Sequence, residues 1–234
     1  MKNLTAVVGT GLAALTLGLA AVGCSSGTKT DDKATAASTT ASTAPSTTSV
    51  EESTSAVAAP PTDAGQTLDD YIKANNIQKA TLGRGDPGPK IDLPVPPGWQ
   101  ASGATPDASY GGIVFSHPVS ASDPPRINAD LFKLTGKVDP AKVLALAPVG
   151  LKSIPGFQSL GDAPQGQLGG FKAAQAGGSY TKDGNSRLIA QKTVVIPGDG
   201  AVFVLQLTAD GLESDMGPLM DATSAIDKET KITP

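Results

Sequence analysis

The chain has 234 residues, of which 39% are hydrophobic, 17% charged and only 4% aromatic, too polar for a multi-span membrane protein and enough for one domain plus tails. A formal charge of −4 argues against a nucleic-acid binder, because neutralising phosphates takes a clustered excess of Lys and Arg. One cysteine and one histidine remove most metal and nucleophile chemistry, since even a catalytic zinc usually takes three protein ligands, so neither a metal nor another cofactor is expected.

Lys2 supplies a short positive region, and Leu4 to Val22 is an uncharged run rich in Leu, Ala, Val and Gly. This pattern predicts a secretory signal over residues 1–23. It ends in Ala21-Val22-Gly23-Cys24, which resembles a bacterial lipobox with Ala21 where Leu is more frequent. Cys24, the only cysteine, is thereby expected to be acylated and to form the mature N-terminus. Each buried CH2 contributes about 0.8 kcal/mol, and two or more acyl chains hold a protein stably on a bilayer. The expected partner of Cys24 is therefore the cell membrane, on its extracytoplasmic face.

Residues 24–66 read as a tether. Between Ser25 and Pro61 stand 8 Ser, 9 Thr, 8 Ala and 3 Pro, with Val50 and Val57 the largest apolar residues. Such a segment cannot bury enough surface to offset chain entropy. As a flexible coil its root-mean-square span is roughly 35 Å. Every aromatic residue falls within 67–234, the expected globular domain, which is large enough to fold without a disulfide.

Thr67 with Asp70 three residues on predicts a capped helix that turns Leu68, Tyr71 and Ile72 to one face as far as Asn76. Gly83-Arg84-Gly85-Asp86-Pro87-Gly88 matches the dinucleotide-binding spacing but lacks the strand before and helix after it, and is read as a loop. Lys90 to Pro96 alternates Ile91, Leu93 and Val95 with polar or proline positions, a proline-blunted strand near an edge. Pro97-Gly98-Trp99 turns the chain. Ile113 to Val119 and Arg126 to Lys133 then form an expected antiparallel pair around Ser122-Asp123-Pro124-Pro125.

Asp139-Pro140 reads as an N-cap with proline at the first helical position, followed by Val143, Leu144, Ala147 and Leu151 at helical spacing, with Pro148 expected to kink or split the helix. Strands are expected at Phe157 to Leu160, Gly169 to Ala176, Gly178 to Thr181, Ser186 to Ile196 and Ala201 to Thr208, joined in part by turns at Asp183-Gly184 and Pro197 to Gly200. Leu212, Met216, Leu219, Met220, Thr223 and Ile226 make a final helical stripe that tolerates Pro218 only in its first turn. Hairpins with helices at the start, middle and end imply an α+β fold, a central antiparallel sheet flanked by helices.

No catalytic motif stands out: there is no G-x-S-x-G elbow, and adjacent acidic pairs such as Asp69-Asp70 do not face each other across a substrate. His117, beside Pro118, is the one residue on which a hydrolase reading rests. No catalytic residue is therefore assigned, and the chain is read as a non-enzyme. Apolar pockets with few polar groups take acyl chains, and Trp99, Met216 and Met220 are the candidate ligand-binding residues, against the plainer alternative that all three are core.

Several short strings in one order resemble the mycobacterial LpqN-type lipoprotein family: Asp70-Tyr71-Ile72, Gly85-Asp86-Pro87-Gly88, Ile91 to Pro96 with Trp99, Tyr110 to Val114, Asp139 to Leu144, and Gln191 to Pro197, together with Cys24 and the Ser/Thr tether. The resemblance implies a PsbP-like α/β/α sandwich and a role in the mycobacterial envelope. It further implies work with a lipid exporter and binding of trehalose-linked glycolipid, and it carries over no active residue. The leading expectation is an acylated periplasmic accessory protein of mycomembrane assembly. The alternative is a protein-interaction adaptor or a secreted effector that binds a host protein without a lipid ligand.

Overall fold

In a computed structural model of the protein, residues 65–161 and 165–234 are described. The expected signal peptide, Cys24 and nearly all of the tether lie outside them. The period-two patterns set the architecture, because alternate residues of a strand face opposite sides of its sheet. Along β5 (Arg126–Thr135), Ile127, Ala129 and Leu131 join one apolar core, while Phe132 and Leu134 join another. In β9 (Asn185–Gly198) and β10 (Ala201–Leu212), Val194, Ile196, Leu205 and Leu207 face the first core, and Val195 and Val204 the second. Two cores on the two faces of one sheet follow.

Nine strands build that sheet, in the order β3 (Trp99–Ser102), β4 (Gly111–Phe115), β5, β10, β9, β8 (Phe171–Lys182) and β6 (Gln158–Ser159). Two further strands complete it: β1 (Gln78–Leu82) continues the β4 edge of β5, and β7 (Gly166–Leu168) pairs with β8. All pairings are antiparallel. Helices α1 (Leu68–Ala74) and α2 (Pro140–Lys152) cover one face through Tyr71, Ile72, Val143, Leu144, Leu146 and Ala147. Helix α3 (Met216–Glu229) covers part of the other through Leu219, Ala222 and Ile226. The fold is mixed α+β with a large antiparallel sheet and three helices among the described residues.

The helix ends follow the capping signals. Thr67 and Asp70 form a reciprocal capping box, and Asp139 Oδ1 accepts from the backbone N–H groups of Ala141 and Lys142 at 2.8 and 3.3 Å. Pro218 lies in the first turn of α3, where its missing N–H has no helical partner to lose. Pro148 does not split its helix, because α2 runs unbroken from Pro140 to Lys152. Pro148 is itself half-buried, and the freed carbonyl of Leu144 is the local cost.

Other expectations shift in detail. The strands expected at Gly169 to Ala176 and Gly178 to Thr181 are one strand, β8, which runs straight through Gly177 and Gly178. Gly178 permits this by close approach, since a Cβ there would sit 2.3 Å from the Phe157 ring. The proline-blunted segment supplies only β2 (Lys90–Asp92), and it pairs with a C-terminal strand, β11 (Lys231–Thr233), in a separate two-stranded sheet. The Gly83 to Gly88 segment is a loop in which Asp86 accepts from the Gly83 N–H at 2.8 Å and Arg84 stacks on Tyr110. β1 ends at Leu82, directly before Gly83, so the strand of a nucleotide site is present, but the loop leads into β2 and the helix that would follow it is not there.

Candidate functional site

The α3 face of the sheet is filled unevenly. Register places Gly177 of β8 opposite Ala190 of β9, Ala190 opposite Ala209 of β10, and Ala209 opposite Ile127 of β5. Three small residues in one row across three strands leave a trench floor, and Ala190 is exposed although β9 is an interior strand. The flank of α3 forms the wall: Met216, Met220, Thr223 and Asp227 recur every three or four residues and so share one side of the helix.

Two joined hollows occupy this trench. One, of about 240 Å³, is lined by Leu160, Leu188, Ile189, Met216, Leu219 and Met220 together with the trench floor. The other, of about 260 Å³, continues past Thr223 to Gln175, Gln191, Lys192, Ile226 and Asp227. Gly177, Ala190, Ala209 and Thr223 line both, which makes them one groove. Between residues 216 and 227 the helix rises roughly 16 Å, which sets the groove's length.

Five large apolar residues are exposed among those described: Val95, Val119, Leu160, Met216 and Met220. Three of the five line this groove. Met216 is 47% and Met220 62% exposed, so the two methionines are not core, whereas Leu219 at 6% is. The expected stripe thus divides: Leu219 and Ile226 bury against the sheet, and Met216, Met220 and Thr223 face the open trench. Leu212 belongs to β10. The Leu160 backbone N–H donates to the Gly177 carbonyl at 3.1 Å, which holds Leu160 at the groove's rim.

Trp99 sits elsewhere. It begins β3 at the opposite edge of the sheet, four strands from β9 and therefore roughly 19 Å away. The residue is 7% exposed, its ring packs on Phe115 at 5.4 Å between centroids, and it lines neither hollow. It is a core residue. His117 is exposed and stands edge-on to Phe115 at 6.2 Å. Among the described residues no acid or hydroxyl side chain hydrogen-bonds to it, so no nucleophile-and-base pair is assembled there.

The sheet's main buried charge is also structural. Arg187, with a side chain 7% exposed, pairs with both Asp123 and Asp210, and its Nε lies 3.1 Å from the Tyr180 hydroxyl and from Asp210 Oδ1. Tyr180 in turn donates to Asp210 Oδ2 at 2.7 Å. Burial, and then the hydrogen bond and charge of Asp210, push the Tyr180 hydroxyl above its ordinary pKa of 10.0. Burial works against the Arg187 charge, but the bonds to Asp210 and Asp123 outweigh it and raise the guanidinium above its usual range. This network clamps the 122–125 turn onto β9 and β10. Asp215, 2% exposed, accepts from the Val119 N–H at 3.1 Å, and its second oxygen has no partner among the described residues. Its place before the first turn of α3 sets that charge at the positive end of the helix dipole.

A larger hollow, about 570 Å³, opens on the other face at the start of α2, beside Pro140, Leu144, Phe171, Lys172 and Val195. None of the exposed large apolar residues lines it. The α3 groove is the better candidate for that reason. Among the described residues no group of three or more His, Cys, Asp or Glu is placed to hold a metal, and no helix is long and apolar enough to cross a membrane.

The model of the family described as "Probable lipoprotein LpqN" matches residues 64–233. Lipoprotein LpqN of Mycobacterium tuberculosis is 52% identical over 235 residues, covering 100% of both chains. The chain belongs to the LpqN lipoprotein family. A crystal structure of LpqN, described as involved in cell envelope biogenesis of Mycobacterium tuberculosis, is 54% identical with a TM-score of 0.71, and the match covers 73% of this chain and 99% of that one. The family members matched are named as lipoproteins and not as enzymes.

Sequence reading selected Met216 and Met220 but missed Gly177, Ala190 and Ala209. The signal for them lies in the hairpins: the turn at Asp183-Gly184 pairs Lys182 with Asn185, which carries Gly177 onto Ala190, and the turn before Ala201 carries Ala190 onto Ala209.

Proposed function

We propose that this protein is an acylated lipoprotein of the mycobacterial envelope whose α3 groove takes an acyl chain of a trehalose-type envelope glycolipid. Acylated Cys24 anchors it to the extracytoplasmic face of the membrane, the 24–66 tether lets the 67–234 domain range above it, and the bound lipid is passed to or from an exporter during envelope biogenesis. The observation that carries the reading is the open apolar trench walled by Met216 and Met220 and floored by Gly177, Ala190 and Ala209. Apolar grooves with few polar groups suit alkyl chains, and flexible methionines adapt to varied ones. The envelope role described for the 54% identical LpqN supports the setting. The fold is read as the PsbP-like sandwich that the family resemblance implies.

The test is native mass spectrometry of the chain from residue 24 onward, carrying Cys24→Ser so that it is free of its own acyl group, after incubation with total envelope lipid. A retained glycolipid of defined mass is expected. Folded protein with only its bare mass supports the rival reading, in which exposed Leu160, Met216 and Met220 seat a protein partner instead.

A further inference from the structure

The groove is not uniform along its length. At the Met216 end its lining is almost wholly apolar. One row further along β8, β9 and β10 from the small-residue floor, register sets Gln175 opposite Lys192 and Lys192 opposite Leu207. Lys192 reaches across to α3 and forms an ion pair with Asp227. Its side chain is 14% exposed, against 45% for Asp227. Among the described residues these two are the only ionisable ones lining either hollow.

A largely covered lysine at the end of an apolar trench is, taken alone, an anion site: it would hold the phosphate or carboxylate of an amphiphile whose chain fills the trench. Asp227 cancels that. With the pair closed, the polar end carries no net charge, and an incoming anion meets a carboxylate within contact distance, where like charges are strongly disfavoured under partial cover. The same end remains rich in hydrogen-bonding groups. The Asp227 carboxylate accepts from hydroxyls, the Lys192 ammonium donates, and the Gln175 amide does both. An uncharged, hydroxyl-bearing head group satisfies all three without upsetting the charge balance.

Resting on the acyl-groove reading above, we infer that Asp227 is a specificity-determining residue: its pairing with Lys192 makes the groove select amphiphiles with neutral polyhydroxyl heads over anionic ones, and it fixes their direction. The head lies at Gln175, Lys192 and Asp227. The chain runs along Thr223 towards Met220 and Met216. An amphiphile entering the other way would put hydroxyls against the methionines and its alkyl end against the ion pair, leaving polar groups without partners. The partner so defined is a single alkyl chain carrying a sugar-like head, and anionic phospholipid is the excluded class.

The test uses the chain from residue 24 onward with Cys24→Ser and two probes of equal chain length held below their micelle concentrations, dodecyl maltoside and dodecyl phosphate, titrated by calorimetry. Wild-type protein is expected to bind the maltoside at least tenfold more tightly. Asp227→Asn, a change at a half-exposed position that leaves the core untouched, is expected to move the ratio at least tenfold towards the phosphate. Adding Lys192→Gln to it is expected to remove the gained phosphate binding. Equal binding of the two probes by wild type, or an unchanged ratio in Asp227→Asn, overturns the selectivity. Folded wild type that binds neither probe overturns the acyl-groove reading and this inference with it, so the two failures are distinguishable.

Discussion

Two halves of one sheet face, both on the α3 side, are built from the same pattern of alternating residues and end in opposite states. Over β3, β4 and β5 the inward positions are Trp99, Ile113 and Ile127, joined by Tyr110 and the half-buried Phe115, and the layer leaves a hollow of only about 30 Å³. Over β8, β9 and β10 the corresponding row is Gly177, Ala190 and Ala209, and α3 bridges it without filling it. Packing elsewhere is close: a Cβ on Gly211 would lie 2.9 Å from Leu219 and 3.0 Å from Pro125, so α3 is seated as tightly as its backbone allows on that side. A hollow in a small domain therefore comes from where the small residues align, and it need not show as a shortage of apolar residues in the sequence.

The comparison predicts that the filled half carries stability and the open half carries binding. The largest effect is expected from Trp99→Ala, which removes a buried aromatic and costs about 3–5 kcal/mol in chemical unfolding. Its effect on alkyl-ligand affinity in protein that remains folded is expected to be nil, and a lost ligand with a small stability change reverses the assignment. Arg187→Met, which leaves the largely covered Asp210 without its cationic partner, is expected to cost about 3 kcal/mol by the same measurement. An unchanged midpoint shows the clamp to be idle.

Gly177→Val sharpens the contrast further. A Cβ there meets only Ala190 and the Ile189 carbonyl at 3.6 Å or beyond, ordinary contact distances, so valine has room at the cost of the trench. The strand gains propensity, with stability expected to hold or to rise by less than about 1 kcal/mol, while ligand binding is lost. Met216→Gln with Met220→Gln is expected to change stability by less than about 0.5 kcal/mol, as exposed substitutions do, and to weaken alkyl binding at least tenfold in the same titration.

The smallest effect is a pH dependence. The Tyr180 hydroxyl is held above its ordinary value by burial and by Asp210, so the fold favours its neutral form. Its contribution is fully present below pH 10 and is lost as pH rises through the raised value. Tyr180→Phe is expected to flatten unfolding free energy against pH above 10, and identical curves remove the role.

Much of the fold was legible because caps and alternation are local. Thr67 with Asp70, Asp139 with Pro140, and the alternating runs of β5, β9 and β10 each carry their own signal. Strand β1 was not seen, since four of its five residues are exposed and none alternates. The pairing of β2 with β11 joins residues near 91 to residues near 232, and three-residue strands contain no pattern to announce it. Of the site, the methionines were legible as a helical stripe. Their separation from Leu219 and Ile226 was not, because helical spacing allows a stripe wide enough to include both the buried side and the flank. Trp99 stood between ligand-binding and core for a related reason: an isolated aromatic at a turn looks the same whether it faces a ligand or a core.

The central claim is that the open half of the α3 face holds the alkyl chain. Backbone amide NMR of the residue 24-onward chain during titration with dodecyl maltoside tests it most directly. Saturable shifts confined to Gly177, Ala190, Ala209, Thr223 and their neighbours are the predicted result. Shifts concentrated at Trp99 and Phe115, or around Leu144 and Phe171 at the hollow beside α2, would contradict it.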